Sequence, residues 1–172
     1  VGIEADELLG VVSVNEDGTI SYDPNGQFTH LGVGEQAVET FRYTIVDQYG
    51  ETNSATVTVR VTGLNDAPEA NDDLAVTTEK GAVAIDVLAN DTDPDGNLDP
   101  ASTVATSDPA HGALVNNGDG TFGYTPAANY NGADSFTYQV CDTFGLCDTA
   151  TVSIAIEPVA DAPVAVNDGY SV

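Results

Sequence analysis

The sequence predicts an all-β chain, a tandem array of immunoglobulin-like β-sandwich modules. Three observations carry this. Runs such as "SATVTVRV" (54–61) and "TATVSIAI" (149–156) alternate and are rich in β-branched residues, as half-buried strands are. Asp-Gly-Thr ahead of "ISY" and "FGY" marks tight hairpin turns. The chain also repeats itself: "FRYTIVDQYGETNSATVTVRVTGLNDAPEANDD" from Phe41 aligns without a gap to "FTYQVCDTFGLCDTATVSIAIEPVADAPVAVND" from Phe136, an offset of 95 residues. No window holds a helical stripe long enough to compete.

Taken in order, residues 1–64 read as the last four strands of a module, beginning near Gly10. Upstream of the aligned stretch, "NEDGTISYDP" (15–24) echoes "NGDGTFGYTP" (117–126). The first copy then runs seven residues longer, through "NGQFTHLGVGEQAV". Residues 65–73 form an acidic inter-module linker. Residues 74–159 form a complete module, with seven strands expected near 75–78, 82–88, 102–107, 112–116, 121–125, 134–141 and 148–156. Seven short strands at this spacing make an immunoglobulin-type sandwich. Residues 160–172 are a further linker and the first strand, "GYSV", of a following module. Half a sandwich would expose its inner face, so the first module's remaining strands are expected outside this sequence or from another chain.

Charge narrows the function. The 172 residues carry 28 acidic side chains against 3 basic ones, a formal net charge of -25. Arg42, Arg60 and Lys80 are the only cations, so internal salt bridges cannot offset the acid. Nucleic acid and anionic membrane need basic patches and are excluded as partners. Disorder is disfavoured by 41% hydrophobic content in patterned runs. No apolar stretch is long enough to span a bilayer, no direct membrane insertion is expected, and the sequence shows no signal-peptide pattern, which says nothing of a longer protein.

The acids are concentrated. In "NDTDPDGNLD" (90–99), Asp91, Asp93 and Asp95 repel by about 3 kcal/mol per pair at roughly 6 Å and an effective dielectric of about 20. If strands alternate direction, this loop, the turn at Asp142 and the linker acids Asp66, Asp72 and Asp73 meet at one end of the module. Glu79 and the outgoing linker, with Asp161 and Asp168, meet at the other. Converging carboxylates without basic partners protonate, spread into water or coordinate a hard cation. Calcium, with six to eight oxygen ligands in flexible geometry, fits such a cage better than magnesium does. Asp91, Asp93, Asp95 and Gly96 match the opening of an EF-hand loop, but Ser102 stands where its glutamate belongs and no helices flank it. A partial calcium loop completed by linker and turn is the expectation; a solvated Asp-Pro-Asp-Gly turn is the alternative.

Cys141 and Cys147 flank the "DTFGL" hairpin. A cross-strand disulfide there would fix Asp142, stabilising by about 2 kcal/mol; reduced buried thiols are the alternative. The same positions in the first copy are Val46 and Thr52, so the bond does not belong to the basic repeat. Phe41, Tyr43, Phe136 and Tyr138 alternate within a strand and read as core. No nucleophile motif, phosphate-binding glycine loop or convergent histidine is present, and the reading is of a protein that is not an enzyme.

These residues resemble the cadherin-like and VCBS-type tandem modules of large bacterial extracellular adhesins. The resemblance is carried by "YDPNGQFTHLGVGEQAVETFRYTIVDQYG", "VLANDTDPDGNLD", "HGALVNNGDGTFGYTPAANYNGADSFTYQVCDTFG" and "ADAPVAVNDGYSV", and covers essentially the whole chain. It implies tandem immunoglobulin/cadherin-like β-sandwich modules, secreted or at the cell surface, with roles in adhesion, biofilm or cell contact. It also implies calcium at module borders. Asn65, Asp66, Ala67 and Pro68 match the cadherin linker, Asp93 and Asp95 the paired loop aspartates, Asp142 the single aspartate between the last two strands, and Glu79 the first-strand glutamate. Ala160 departs from the linker asparagine, and the Asp-Arg-Glu motif of the lower loop is missing. The expected function is a calcium-binding structural or adhesion repeat whose partners are calcium ions and neighbouring modules of the same chain. The alternatives are a glycan- or protein-binding module gripping through Phe28, His30, Tyr130 or Phe144, and an accessory domain of a secreted enzyme.

Overall fold

The computed structural model describes residues 1–5, 8–163, 165, 167 and 169. Asp168 and Tyr170–Val172 of the expected "GYSV" strand lie outside them. The described residues contain no helix, and none therefore that is long and apolar enough to cross a membrane. The architecture is all-β, of immunoglobulin/cadherin-like type. Contacts divide the chain into two compact units: Val1–Glu69 with Thr92–Asp99 and Cys141–Cys147, and Ala70–Asp91 with Pro100–Val140 and Asp148–Val172.

In the first repeat, β1 (Gly2–Glu4), β4 (Gln36–Val46) and β5 (Thr52–Thr62) form a sheet in the order β1-β4-β5. A separate hairpin joins β2 (Val11–Val14) to β3 (Ile20–Asp23). β4 and β5 pair antiparallel along their whole length, from Gln36↔Thr62 to Val46↔Thr52. Strand β1 was not expected from the sequence, which placed the first element near Gly10. "GIE" is too short to show alternation, and only its pairing on β4, with Ile3 opposite Tyr43, makes it a strand.

The second repeat supplies β6 (Asp73–Thr78), β7 (Val83–Asp86), β8 (Leu98–Ala105), β9 (Gly112–Asn116), β10 (Thr121–Pro126), β11 (Gly132–Asp142) and β12 (Cys147–Glu157). They form two sheets, β7-β10-β9 and β6-β12-β11-β8, and all seven expected strands are present. Strand β8 starts earlier than expected because an Asp93 turn closes the acidic loop by residue 97. Alternate residues of each sheet face a common core. Phe122, Tyr124, Phe136, Tyr138, Val140, Val152 and Ile154 are essentially inaccessible, and Phe122 meets Phe136 edge-on at 5.2 Å. Burying one such side chain stabilises by roughly 1.5–3 kcal/mol. Strand β6 joins β12 in parallel, Asp73 opposite Val152 and Thr78 opposite Glu157.

One buried polar device occurs in both repeats. Asp134, on β11, accepts N–H bonds from Ala110 and His111 (both 2.9 Å) and the Tyr124 hydroxyl at 2.7 Å. Glu39, on β4, accepts N–H bonds from Leu9 (2.6 Å) and Gly10 (3.1 Å) and the Tyr22 hydroxyl at 2.5 Å. Gly10 and Gly112 lie flat against these tyrosine rings; a Cβ would come within 2.4 and 2.3 Å of ring carbons. Burial raises the pKa of each carboxyl, but the tyrosine and backbone donors outweigh it, so both lie below the ordinary range. These carboxylates tie the approach to one strand against the next hairpin. Asp134→Asn leaves one acceptor for the three backbone N–H groups of Ala110, His111 and Ser135, and should cost about 2 kcal/mol. Gly112→Ala should cost at least that through overpacking. Thermal melts of the two variants, each expected several degrees below the parent, check both.

Candidate functional site

Two oxygen-rich clusters contain the candidate residues. The first lies wholly within the first unit. Its frame is an Asp-Pro-Asp-Gly turn, in which Asp93 Oδ1 accepts the N–H of Asp95 (3.0 Å) and Asn97 (3.4 Å). Gly96 takes φ 70, a conformation a side chain would strain, and donates to the Asp93 carbonyl. The linker is pinned to this loop: Glu69 and Thr92 exchange N–H···O bonds of 2.8 and 3.1 Å, and Asp66 N–H faces both Asp95 oxygens at 3.3 Å.

Asn65 completes the cluster. Its amide donates to Asp142 Oδ2, while its oxygen accepts from Asn97 Nδ2 at 2.9 Å. Asp142 Oδ1 accepts from Phe144 (2.8 Å) and Leu146 (2.9 Å), closing the hairpin turn. Burial raises the Asp142 pKa, but the Asn65 amide and the turn N–H groups reverse this and hold it below the usual carboxylate range. A Cys141–Cys147 disulfide brackets the same turn, as the hairpin reading anticipated. Two acceptors here are buried without any donor: Asp93 Oδ2 and Asn97 Oδ1. A buried oxygen left unpartnered costs about 1–3 kcal/mol. The sequence reading missed Asn97. Its spacing after Asp95 was visible, but asparagine next to glycine reads first as a turn residue.

The second cluster lies in the second unit. The Tyr138 hydroxyl sits 2.8 Å from the Val87 carbonyl and 3.0 and 2.9 Å from the Asp91 carboxylate oxygens. Asn71 N–H donates to Asp91 at 2.8 Å. Asp73 Oδ2 is buried without a partner. Burial and, after it, the Asp91 charge push the Asp73 pKa up to about 6. Burial likewise raises Asp91 and, with the Asp91 hydrogen bond, pushes the Tyr138 phenol well above its ordinary value. Asp72 instead accepts Thr151 N–H within β12 at 2.8 Å, one residue before the pairing with β6 begins.

The remaining candidates are engaged in other ways. Glu79 is buried, accepting Val159 N–H at 2.7 Å and facing Asn131 Nδ2 at 3.5 Å. Asp161 forms an ion pair with Lys80, so one of the three cations does meet an acid. Among the described residues, no three His, Cys, Asp or Glu side chains are arranged to hold a metal ion; the first cluster is a mixed carboxylate–amide set. Of the aromatics considered for ligand contact, Phe28 is buried and thereby removed, Phe144 is exposed, and Tyr130 stacks on His111 at 3.9 Å.

The bacterial Ig domain model matches residues 65–155, and the bacterial cadherin-like domain model matches residues 2–63. Neither describes an enzyme. Protein GAMETE EXPRESSED 2 of Arabidopsis thaliana is 31% identical over 142 residues, 83% of this chain, which spans only 14% of that protein's length. Among solved structures, protocadherin gamma B7 extracellular cadherin domains 1–4 superpose with a TM-score of 0.50 at 13% identity, covering 92% of this chain and 41% of that one. That is a likeness of fold. An endo-fucoidan hydrolase of glycoside hydrolase family 107 matches with a TM-score of 0.40 at 16% identity, over 92% of this chain and 24% of its own, too distant to bear on function.

The Asp73 shift has a definite sign. A carboxyl whose pKa is raised by folding, from 3.8 to about 6, adds stability fully present below about pH 4 and lost as pH rises through 6. In chelator, the second unit should therefore lose on the order of 1 kcal/mol between pH 4 and 6.5, once solvent screening is allowed for. Melting curves across that range should show the loss, and Asp73→Asn should reduce it, leaving the part that the raised Asp91 carboxyl contributes.

Proposed function

Since this chain belongs to the bacterial Ig domain family, with a bacterial cadherin-like segment preceding the matched module, we propose that it is a calcium-binding structural and adhesion repeat of an extracellular or cell-surface protein. On this reading residues 1–64 and 74–159 belong to successive modules, with linkers at 65–73 and 160–172. The observation that carries it is the pair of buried, donorless oxygens on Asp93 and Asn97, set among Asn65, Asp66, Asp95 and Asp142. An all-oxygen set with unsatisfied acceptors and no nearby ammonium or guanidinium has the chemistry of a hard-cation site.

The chain's own residues do most of the work. The Asp93–Gly96 turn presents its carboxylates together, and the disulfide-bracketed hairpin presents Asp142. Asn65 and Asp66 bring the linker to both. When bound, calcium supplies positive charge that offsets carboxylate repulsion and is shared between linker and loop. In its absence the linker is held by the Glu69–Thr92 backbone pair, by the Asn97 amide and by hydrogen bonds to acids that repel one another. Asp73 and Asp91 are a second candidate pair, and there a cation would replace the proton that burial favours. Asp161 and Asp168 of the outgoing linker are the corresponding candidates for the following border, with Glu79.

Extracellular calcium sites bind at roughly 0.1–1 mM, and a site of about 0.1 mM at about 2 mM calcium contributes roughly 1.8 kcal/mol. Calorimetric titration of the chelated protein with calcium chloride should show saturable binding in this range, with a matching rise in melting temperature. Asp95→Asn should weaken it by tenfold or more. An isotherm flat to 5 mM, with melting unmoved by chelation, would overturn the reading.

A further inference from the structure

The outer face of the second unit carries an open groove of about 800 Å³, a size that holds a short peptide or a small ligand. Side-chain size creates it. On β12, Val152, Ile154 and Ile156 turn into the core, which leaves Ser153, Ala155 and Glu157 exposed. On the neighbouring β11, Asp134 and Phe136 are buried, which leaves Ala133 and Ser135 exposed. Apart from Glu157 these are short, so the floor is low. Taller groups flank it: Leu74 of β6, 77% exposed and opposite Ser153, and His111 in the approach to β9.

Both walls are fixed without a ligand. Strand β6 is paired along Val152–Glu157. The other wall is clamped by Asp134, which accepts the Ala110 and His111 N–H groups, and the His111 ring is stacked on Tyr130. A preformed groove spares the ordering cost of binding. One end is acidic. Glu157 lines it, and Glu79 lies alongside, accepting Val159 N–H at 2.7 Å and donating its own N–H to the Glu157 carbonyl at 3.0 Å. No lysine or arginine lines the groove, and Lys80 is engaged by Asp161.

Charge selects the occupant. A second copy of this chain brings the same net charge of -25 and is repelled. A cation with an apolar stem is complementary to apolar walls that end at a carboxylate, and arginine and lysine side chains have that form. We propose that the groove is a docking site for a basic peptide segment of a partner protein. Its arginine or lysine stem lies along Leu74 and Ala155 with the head at Glu157, and small apolar neighbours cover the floor. Neither acidic cluster contributes to this site, so calcium binding and peptide binding are decided separately.

The test is a chemical-shift titration of the chelated protein with a blocked Val-Ala-Arg-Ala-Val peptide. Saturable shifts should centre on Leu74, His111, Ser135 and Ala155, and weaken as salt is raised. Glu157→Gln should weaken binding by about three- to fivefold, the upper range of one exposed charge pair. Ala155→Trp should fill the groove and abolish binding at unchanged net charge. Residue 155 is exposed, so this variant should melt with the parent. Binding that survives Ala155→Trp, or shifts spread evenly over exposed acidic turns such as Asp17 and Asp119, means unspecific charge attraction and overturns the site. Equal binding of the analogue with citrulline for arginine, or no saturable shift with either peptide, overturns it too. The same signals moving with protein concentration alone, or with neutral maltotriose, would make a second copy or a glycan the occupant and overturn the assignment.

Discussion

A carboxylate removed from water must be supplied with donors, and this chain has almost none of the ionic kind. With three cations for 28 acids, the donors are backbone N–H groups, asparagine amides and tyrosine hydroxyls. Each buried acid is therefore a fixed point to which separate stretches of chain are tied. Asp134 ties the approach to β9 to β10, Glu39 does the same for β2 and β3, and Asp142 closes its own turn while receiving the linker through Asn65. Hydrogen bonds to an ionised acceptor are the stronger kind.

The balance of donors against burial divides the acids into two classes. Asp134, Glu39 and Asp142 have enough donors that their pKa values fall despite burial. Asp73 and Asp91 do not, and theirs rise. In the first class, Asp134 and Glu39 belong to the architecture alone; Asp142 is equally well supplied with donors but lies among the oxygens of the first cluster. The second class, together with the donorless oxygens of Asp93 and Asn97, is left short of donors. Acids well supplied with donors and acids short of them are thus separated by their environment, although in the sequence they are alike.

Much of the fold was legible because the chain states its pattern twice. Alternation in β4, β5, β11 and β12, hairpin turns at Asp-Gly-Thr and the 95-residue offset leave little freedom of register. What escaped notice depended on partners distant in sequence. Strand β1 exists only by pairing with β4. The Tyr–carboxylate ties escaped, since nothing local reveals that Tyr124 and Asp134 meet. Asn97 was hidden by an adjacent glycine. The turn acids were easier to place, because Asp93, Asp95 and Asp142 lie at turns whose geometry the sequence already dictates, whereas the engagement of Asp161 with Lys80 depends on two positions far apart in sequence.

The hairpin at Asp142 shows what the disulfide is for. In the first repeat Asp47 forms the same turn, accepting from Tyr49 at 2.8 Å and Glu51 at 2.9 Å, with no disulfide across Val46 and Thr52. The turn therefore does not require the bond. The two aspartates differ in surroundings: Asp47 is exposed, while Asp142 is 3% exposed and receives Asn65. An exposed turn that frays loses little, because water replaces its hydrogen bonds. A turn that frays beneath a linker takes a buried carboxylate and its partner with it. The disulfide brackets a hairpin whose opening would release more than the hairpin itself.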